Sequence, residues 1–345
     1  MQENRRTLLK LTGAAALGLI GGTARAQARP RLVVGVQTIE LRESVLASKV
    51  LDGLPFDVEW AHLPGPAAQL SALYAKSIDI GLGGSTSLIF EQAKAGTWDD
   101  ANPPLQIVAA WENPDQKKYP SIITAVRKES GIKTLKDLRG KRWGHNYGGY
   151  NYGQYIATLV KAGLTEKDIQ GSRFVDQFAS GTAFNRGQLD VFSGSPTGVY
   201  ESLKSGEATV LLDNRDTEVP GLTIFIARQE VLRDKAKSEA LSEFLARVRR
   251  HWGWYEKNIA TVEEVYLKKL QQTPERAQYT ARFAASQFKP LDRELNRQLQ
   301  GLADLFQEFK VIGRKIDVAS ELNPKFNLAT TGASPSARFG AARLA

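Results

Sequence analysis

Short apolar runs alternate with stretches of helical periodicity along the first half of the chain. The stretches PAAQLSALYAKS and TSLIFEQAKAG place apolar residues at helical spacing, and Pro66 stands at a favoured first-turn position. Strands that alternate with helices are typical of a parallel sheet with crossover helices. The apolar runs predict strands over 31–36, 56–60, 78–82, 105–111 and 121–128.

The alternation starts again after residue 130, with a short helix, a strand and the helical stretch YNYGQYIATLVKAGL. Further strand candidates lie in SRFVDQF, DVFSGS, ATVLLD and GLTIFIARQ, and the pattern is mostly helical from about 235 to 310. The pattern therefore predicts an α/β protein with two similar halves. Small and polar residues at the end of the chain predict a disordered tail over 326–345.

The first residues have the pattern of an export signal. Arg5 and Arg6 precede a short apolar run, and residues 24–26 (Ala-Arg-Ala) provide a small-x-small cleavage pattern. The run is too short and too rich in Gly and Ala for a membrane span. We therefore predict that 1–26 is an export signal of the twin-arginine type, with the general secretory route as the alternative, and that the mature protein is periplasmic.

Composition narrows the chemistry of the protein. The chain has no cysteine, which excludes disulfides, thiolate metal sites, a cysteine nucleophile and a cysteine-linked lipid anchor. Its histidines are far apart in sequence, and neither a G-x-S-x-G elbow nor a nucleotide-binding glycine motif is present. The net charge of +9 comes from scattered basic residues, which does not indicate nucleic-acid binding. We expect no catalytic residue, metal or cofactor.

Three segments together carry a resemblance to a known family: 63–96, 132–144 with 155–169, and 288–318. They resemble the periplasmic binding proteins for aliphatic sulfonates, taurine and nitrate. Their order and spacing fit that family from about residue 31 to 322.

The resemblance implies the two-lobe periplasmic binding protein fold of type II. Each lobe would be a mostly parallel sheet flanked by helices, and two crossing strands would form the hinge. Lobe I would contain 29–118 and 224–325, and lobe II would contain 119–223. A monomer of this kind closes around a small-molecule ligand and delivers it to the membrane permease and ATPase of an ABC importer.

Ligands in open parallel sheets bind beyond the carboxyl ends of strands, where helices begin. A helix N-terminus offers free amides and partial positive charge, which suits an anion. The first such junction in this chain is GLGGSTS, which matches the family's Gly-Asp/Ser-Ser/Thr pattern. Its candidate ligand-binding residues are Gly84, Ser85 and Thr86.

The second junction lies in HNYGGYNYGQY, which combines flexible glycines with several tyrosines. Sulfonate binders of the family usually have Gly-Ser-Ser here, so this chain retains backbone amides and lacks the serine hydroxyls. Tyr155 is interpreted as a helix core residue. The candidate ligand-binding or cleft-lining residues are Tyr147, Gly148, Gly149, Tyr150 and Asn151.

The third junction is VFSGSPTGVYES, where Ser195 before Pro196 is a helix-start signal. Family members often carry a Trp-Asp-Pro segment here, and this chain is about one residue shorter. Its candidate ligand-binding residues are Ser193, Gly194 and Ser195. In the first lobe, Gln37 and Thr38 occupy positions where the family has ligand-facing polar residues, and Trp111 follows another strand.

A pocket with these aromatic rings suits a ligand with a flat or bulky organic part. We predict the substrate-binding component of an ABC importer for an organosulfonate, possibly a bulky or aromatic one. A nitrate-like anion, an aromatic carboxylate and a pyrimidine precursor are the alternatives. An enzyme on the same scaffold is disfavoured, because the related desulfinase chemistry uses a cysteine that this chain lacks.

Overall fold

Two mixed β-sheets flanked by helices make up the computed structural model, which describes residues 29–94, 96 and 98–332. The predicted export signal, 1–26, lies outside these residues. The first sheet, with the order β11-β4-β10-β3-β1-β2, consists of β1 (Arg31–Val36), β2 (Asp57–His62), β3 (Ile80–Gly84), β4 (Leu105–Glu112), β10 (Thr223–Arg228) and β11 (Gln287–Lys289).

The second sheet consists of the strands that lie in sequence between β4 and β10 of the first sheet. Its order is β7-β6-β8-β5-β9. It consists of β5 (Ile123–Arg127), β6 (Arg142–His145), β7 (Gln170–Arg173), β8 (Val191–Gly194) and β9 (Ala208–Asp213).

Helices cover both sheets, and some of them begin where the sequence supplies a cap or a proline. Pro66 starts α2 as predicted, and the side chain of Asp176 accepts hydrogen bonds from two amides at the start of α5. The helices are α1 (Glu40–Ala47), α2 (Pro66–Tyr74), α3 (Ser87–Ala93), α4 (Tyr150–Ala162), α5 (Gln177–Asn185), α6 (Tyr200–Ser205), α7 (Asn214–Thr217), α8 (Gln229–Arg233), α9 (Lys235–Lys257), α10 (Ile259–Lys269), α11 (Pro274–Ala284), α12 (Arg293–Glu308) and α13 (Asn327–Thr331).

Strand direction identifies the two connections between the sheets. β1 runs parallel to β2 and β3, and β6 runs parallel to β7 and β8. β10 is antiparallel to β3 and β4, and β5 is antiparallel to β8 and β9. Each of these antiparallel strands enters its sheet from the other half of the chain. They therefore start at the edge where the parallel strands end, which is the arrangement expected of two crossing strands.

An apolar core joins the two sheets on one side. The buried helix α4 of the second sheet, with Tyr155 and Ile156, belongs to the same cluster as Phe90 of α3 and Phe306 of α12. The first sheet buries its other face against α9, whose apolar residues recur at helical spacing. The first sheet therefore lies between two layers of helices, one on each face, as the predicted α/β architecture requires.

Part of the segment that we predicted to be a disordered tail is folded. Phe326, Asn327 and Thr330 are buried, and residues Asn327–Thr331 form α13. The Asn327 side chain exchanges two hydrogen bonds with the backbone of Leu291, at 2.9 and 3.1 Å. The prediction is therefore wrong for 326–332, because small polar residues there satisfy buried backbone groups; 333–345 lie outside the described residues.

Among the described residues, no helix combines the length and the apolar character that a membrane span requires.

Candidate functional site

A cavity of about 190 Å³ opens between the two sheets, and we call it the cleft. The first sheet contributes Thr38, which comes just after β1, and Trp111, which lies at the end of β4. The second contributes Tyr150 at the start of α4 and Ser195 after β8. The cleft therefore lies where strands end and helices begin in both halves, as expected for an α/β binding site.

Four of the predicted site residues meet at this cleft: Thr38, Trp111, Tyr150 and Ser195. Trp111 is 5% exposed, and its ring lies 4.8 Å from Phe225 and 5.7 Å from Phe288, measured between centroids. This tryptophan therefore packs in the core and also forms a wall of the cleft.

Tyr150 reaches the cleft because Gly84 makes room for it. A Cβ atom at Gly84 would lie 2.4 Å from the Tyr150 backbone nitrogen and from its ring. Burial raises the pKa of the Tyr150 hydroxyl, and a side-chain hydrogen bond with Thr223 opposes that shift. Gly84 thus acts through this close approach rather than by lining the cleft.

Tyr147 does not line the cleft. Its ring packs against Phe90, with centroids 5.8 Å apart, and against Tyr152 at 5.2 Å. The Lys94 ammonium and the Arg173 guanidinium lie 5.3 and 5.2 Å from the Tyr147 ring centroid. This side chain therefore fills the interface between the two halves of the molecule, because α3 presents an apolar surface to it.

The other predicted residues of the first two junctions lie at or near the same interface and contact neighbouring protein groups there. The Ser87 hydroxyl donates to the Gly148 carbonyl at 2.6 Å, and Gly148 has a φ of 93° that favours glycine. Gly149 packs against Pro66. Ser85 and Thr86 are fully buried, and the Ser85 hydroxyl donates to the Pro220 carbonyl. We call this interface, between Phe90 of α3 and the tyrosines Tyr147 and Tyr152, the sealed side.

A hydrogen-bonded layer behind the cleft holds three other predicted residues. The Asn151 amide donates to Gln177 Oε1, which also accepts from the Ser195 amide at 2.9 Å. Ser193 accepts from the Trp143 indole at 3.1 Å. Gly194, next to it, is buried in β8.

Gln37 also supports the site from outside. Its side-chain amide donates to the Leu82 carbonyl at 3.0 Å, and Leu82 lines the cleft. The structure therefore places Gln37, Gly84, Ser85, Thr86, Tyr147, Gly148, Gly149, Asn151, Ser193 and Gly194 around the cleft rather than in its lining.

Sequence reasoning missed the wall formed by α9, α10 and α11. Trp252 and Tyr266 line the cleft from helices whose periodicity indicates only core packing. Phe178 and Gln177 were also missed, although VDQF has the signal of a fourth junction, with Asp176 as the helix cap after β7.

The charged side chains that line the cleft are acidic. Among the lining residues in the described part of the chain, Glu40 and Glu112 carry charge, and none is Lys or Arg. Glu112 pairs with Lys289, 3.1 Å away. An anion in the cleft would therefore rely on amides, hydroxyls and indole N–H groups rather than on a cationic side chain.

Two of the three histidines, His145 and His251, pack inside the structure. His145 stacks on Tyr155 with centroids 4.5 Å apart, and burial together with the nearby Arg173 lowers its pKa to about 4. His251 lies between two serine hydroxyls, and burial lowers its pKa to about 3. Over 29–94, 96 and 98–332 there is no group of three or more His, Asp or Glu that could hold a metal.

Helix α11 closes the outer edge of the cleft. Arg276 donates to the Thr197 carbonyl at 3.2 Å, and its guanidinium lies 5.8 Å from the Tyr200 ring centroid. Tyr200 and Tyr279 pack with centroids 4.8 Å apart. These contacts join α11 to α6 and the turn before it, so both halves of the molecule meet on either side of the cleft.

Comparison with known proteins places the chain in a family. The family model described as NMT1/THI5 like matches residues 57–258, which is more than half of the chain. The chain belongs to the NMT1/THI5-like family. The matched residues include the three strand-to-helix junctions. They therefore include most of the residues by which the half with the second sheet lines the cleft.

Relatives of this NMT1/THI5-like chain support the predicted resemblance. A protein of Escherichia coli (strain K12), named as an aliphatic sulfonates-binding protein, is 26% identical over 271 residues, which cover 77% of this chain and 79% of that protein. The structure of the alkanesulfonate-binding protein SsuA from Xanthomonas axonopodis pv. citri bound to MOPS is similar with a TM-score of 0.72 and 21% identity. That match covers 86% of this chain and 99% of the other.

A second solved structure has the same fold. It is the periplasmic aliphatic sulphonate binding protein SsuA from Escherichia coli, with a TM-score of 0.68 and 22% identity. The match covers 85% of this chain and 92% of that one. These structures confirm the predicted periplasmic binding protein fold for the NMT1/THI5-like chain.

Proposed function

We propose that the protein is the substrate-binding component of an ABC importer and captures an organosulfonate in the cleft. The observation that carries this proposal is a ligand-sized cleft lined from both halves at the ends of strands, in a chain whose relatives bind sulfonates. Two crossing strands, β5 and β10, connect the halves and allow them to close on the ligand.

The remaining parts of the proposal follow from the same class of protein. The protein works in the periplasm as a monomer, without a cofactor, and passes its ligand to a membrane permease driven by an ATPase. It binds its ligand and does not catalyse, since its relatives are named as binding proteins. Aromatic rings from Trp111, Tyr150 and Phe178 suit a ligand with a bulky or aromatic organic part.

A second candidate ligand is a neutral nitrogen heterocycle, such as a pyrimidine precursor. The observation that favours it is the lack of Lys and Arg among the described residues that line the cleft. A flat ring could stack on the aromatic wall and donate to Glu112 or Glu40.

A thermal-shift screen of the purified protein separates these candidates. Alkanesulfonates, arylsulfonates, aromatic carboxylates, nitrate and pyrimidines are compared at equal concentration. A ligand present at a hundred times its dissociation constant should stabilise the protein by about 2.7 kcal/mol. The proposal requires a sulfonate among the stabilising compounds; stabilisation by pyrimidines alone would replace it with the second candidate.

A further inference from the structure

We infer that α6 and α11 form a latch, made by Glu201, Lys204, Glu275 and Arg276, which holds the two halves of the molecule closed beside the cleft. Helix α6 precedes β9 of the second sheet, whereas α11 precedes β11, which pairs with β4 of the first sheet. The consequence of the latch for ligand capture rests on the proposed function, but the latch itself does not depend on which ligand binds.

Two reciprocal ion pairs join the helices. Lys204 of α6 pairs with Glu275 of α11, and Arg276 Nη1 lies 3.4 Å from Glu201 Oε1. Glu201 and Lys204 are three residues apart on α6 and therefore lie on the same side of the helix, and their partners are consecutive residues at the start of α11. Each helix thus presents one acid and one base, and opposite charges meet in the register that closes the cleft.

Arg276 is the central residue of the latch, because it also contacts a wall of the cleft. Its Nη2 donates to the Thr197 carbonyl at 3.2 Å, and its guanidinium lies 5.8 Å from the ring centroid of Tyr200. Thr197 lines the cleft, two residues after the predicted junction residue Ser195. Arg276 is therefore a positioning residue, which holds the third junction against the opposite half.

The other end of α11 is anchored to a connection between the halves. The Asn113 side-chain amide, in the segment between β4 and β5, donates to the carbonyls of Arg282 and Phe283 at 2.8 and 2.9 Å. Tyr279, in the middle of α11, packs on Tyr200 of α6. A rotation about the crossing strands would leave the end of α11 in place and separate its start from α6, so opening of the halves must break the latch.

The latch should respond to salt, unlike the sealed side. Its four charged side chains are between 30% and 68% exposed, so dissolved ions screen them, whereas Phe90 and Tyr147 join the halves through packed rings. Exposed ion pairs are individually weak. Here they act on an equilibrium between open and closed halves, in which a small change of free energy alters the populations severalfold.

The test measures the distance between the halves in the empty, full mature chain. The chain has no cysteine, so spin labels attach only at Lys167→Cys in the second half and Lys257→Cys in the first, both at exposed positions. In this background Arg276→Ala and Lys204→Glu should each raise the fraction of molecules with longer distances by at least about threefold. Adding Glu275→Lys to Lys204→Glu should restore the distances of the unaltered latch.

A matched control and a salt series separate the latch from a general surface effect. Lys268→Glu creates the same kind of like-charge contact, with Glu264, inside α10 and should leave the distances unchanged. Raising the ionic strength from about 0.05 M to about 0.5 M should lengthen the distances in the protein with the intact latch and have less effect in Arg276→Ala. Equal distances and equal salt responses with and without Arg276, or a charge-swapped protein that stays open, would overturn the inference.

These outcomes do not depend on sulfonate binding, because no ligand is added. A separate stopped-flow measurement with propanesulfonate tests the consequence for capture, and Arg276→Ala should raise its dissociation rate by about threefold. An unchanged rate would overturn the role of the latch in retaining the ligand. Absence of propanesulfonate binding to the wild-type protein would count against the proposed function and leave the distance measurement to decide on the latch.

Discussion

The two sides of the region between the sheets differ in the use they make of aromatic residues. On the sealed side, Phe90, Tyr147 and Tyr152 pack against one another and carry the contact between the halves. On the cleft side, Trp111 and Phe178 keep an edge or a face toward the cavity. Aromatic rings thus join the two halves on one side and line the cavity on the other, and only the packing partners separate the two uses.

This comparison is sharpest for two phenylalanines. Phe90→Ala should lower the free energy of unfolding by about 3–5 kcal/mol, because Phe90 is 3% exposed and contacts three aromatic rings. Phe178→Ala should cost less than about 1 kcal/mol, because this side chain is 36% exposed. Urea unfolding of both variants measures the difference, and a similar loss for both would remove the distinction between the sides.

Ligand affinity should respond in the opposite order. Phe178 lines the cleft, so Phe178→Ala should weaken binding of the preferred sulfonate by about tenfold. Calorimetric titration checks this, with the exposed Phe309→Ala as a control that should bind like the wild type. Unchanged affinity in Phe178→Ala would show that the cleft wall at α5 is not used.

The close approach of the halves at Gly84 gives the next largest effect. Gly84→Ala should destabilise the protein by about 1–3 kcal/mol, because the new methyl group would overlap the backbone and ring of Tyr150. The matched control is Gly253→Ala in α9, where nothing lies within 4 Å of the added Cβ atom. Thermal unfolding that is equally unaffected in both variants would show that the contact between β3 and α4 does not hold the halves together.

The sealed side also carries a pH-sensitive group. His145 has a pKa of about 4 in the folded protein against an ordinary value of 6.5, so the folded state binds fewer protons than the unfolded state between these values. Stability should therefore be complete above pH 6.5 and fall as the pH drops toward 4. His145→Gln should make this decline shallower in urea unfolding, leaving the part due to His251. Identical slopes for variant and wild type would refute this assignment.

The smallest predicted effect concerns a single hydrogen bond across the halves. Ser87→Ala removes the donor to the Gly148 carbonyl and also the acceptor of the Gly84 amide, 3.1 Å away, and should cost about 1–2 kcal/mol. Ser242→Ala, at a half-buried residue of α9 whose side chain forms no hydrogen bond with the described residues, serves as the control. A loss in Ser87→Ala no larger than that of the control, measured by chemical unfolding, would show that this bond adds nothing to the sealed side.

Much of the fold follows from local pattern. The apolar runs at 31–36 and 105–111 became β1 and β4, and the predicted junctions at Tyr150 and Ser195 lead to the cleft, the second with Ser195 as the cap. These features depend on neighbouring residues, whose periodicity and capping chemistry are visible in the sequence.

The division of the tyrosines could not be predicted in the same way. Tyr147 packs on Phe90 and Tyr150 faces Gly84, and both partners lie far away in sequence. Likewise, nothing in the periodicity of α9 and α10 indicates that Trp252 and Tyr266 reach a cavity. Such assignments depend on how the two halves dock, which is a property of tertiary packing.

A crystal structure of the protein with an alkanesulfonate bound would test the central claim most directly. The account predicts density for the ligand between Trp111, Tyr150 and Ser195, with the Ser87–Gly148 contact still closed. Density beside Tyr147, or a bound state in which that contact has opened to admit the ligand, would contradict it.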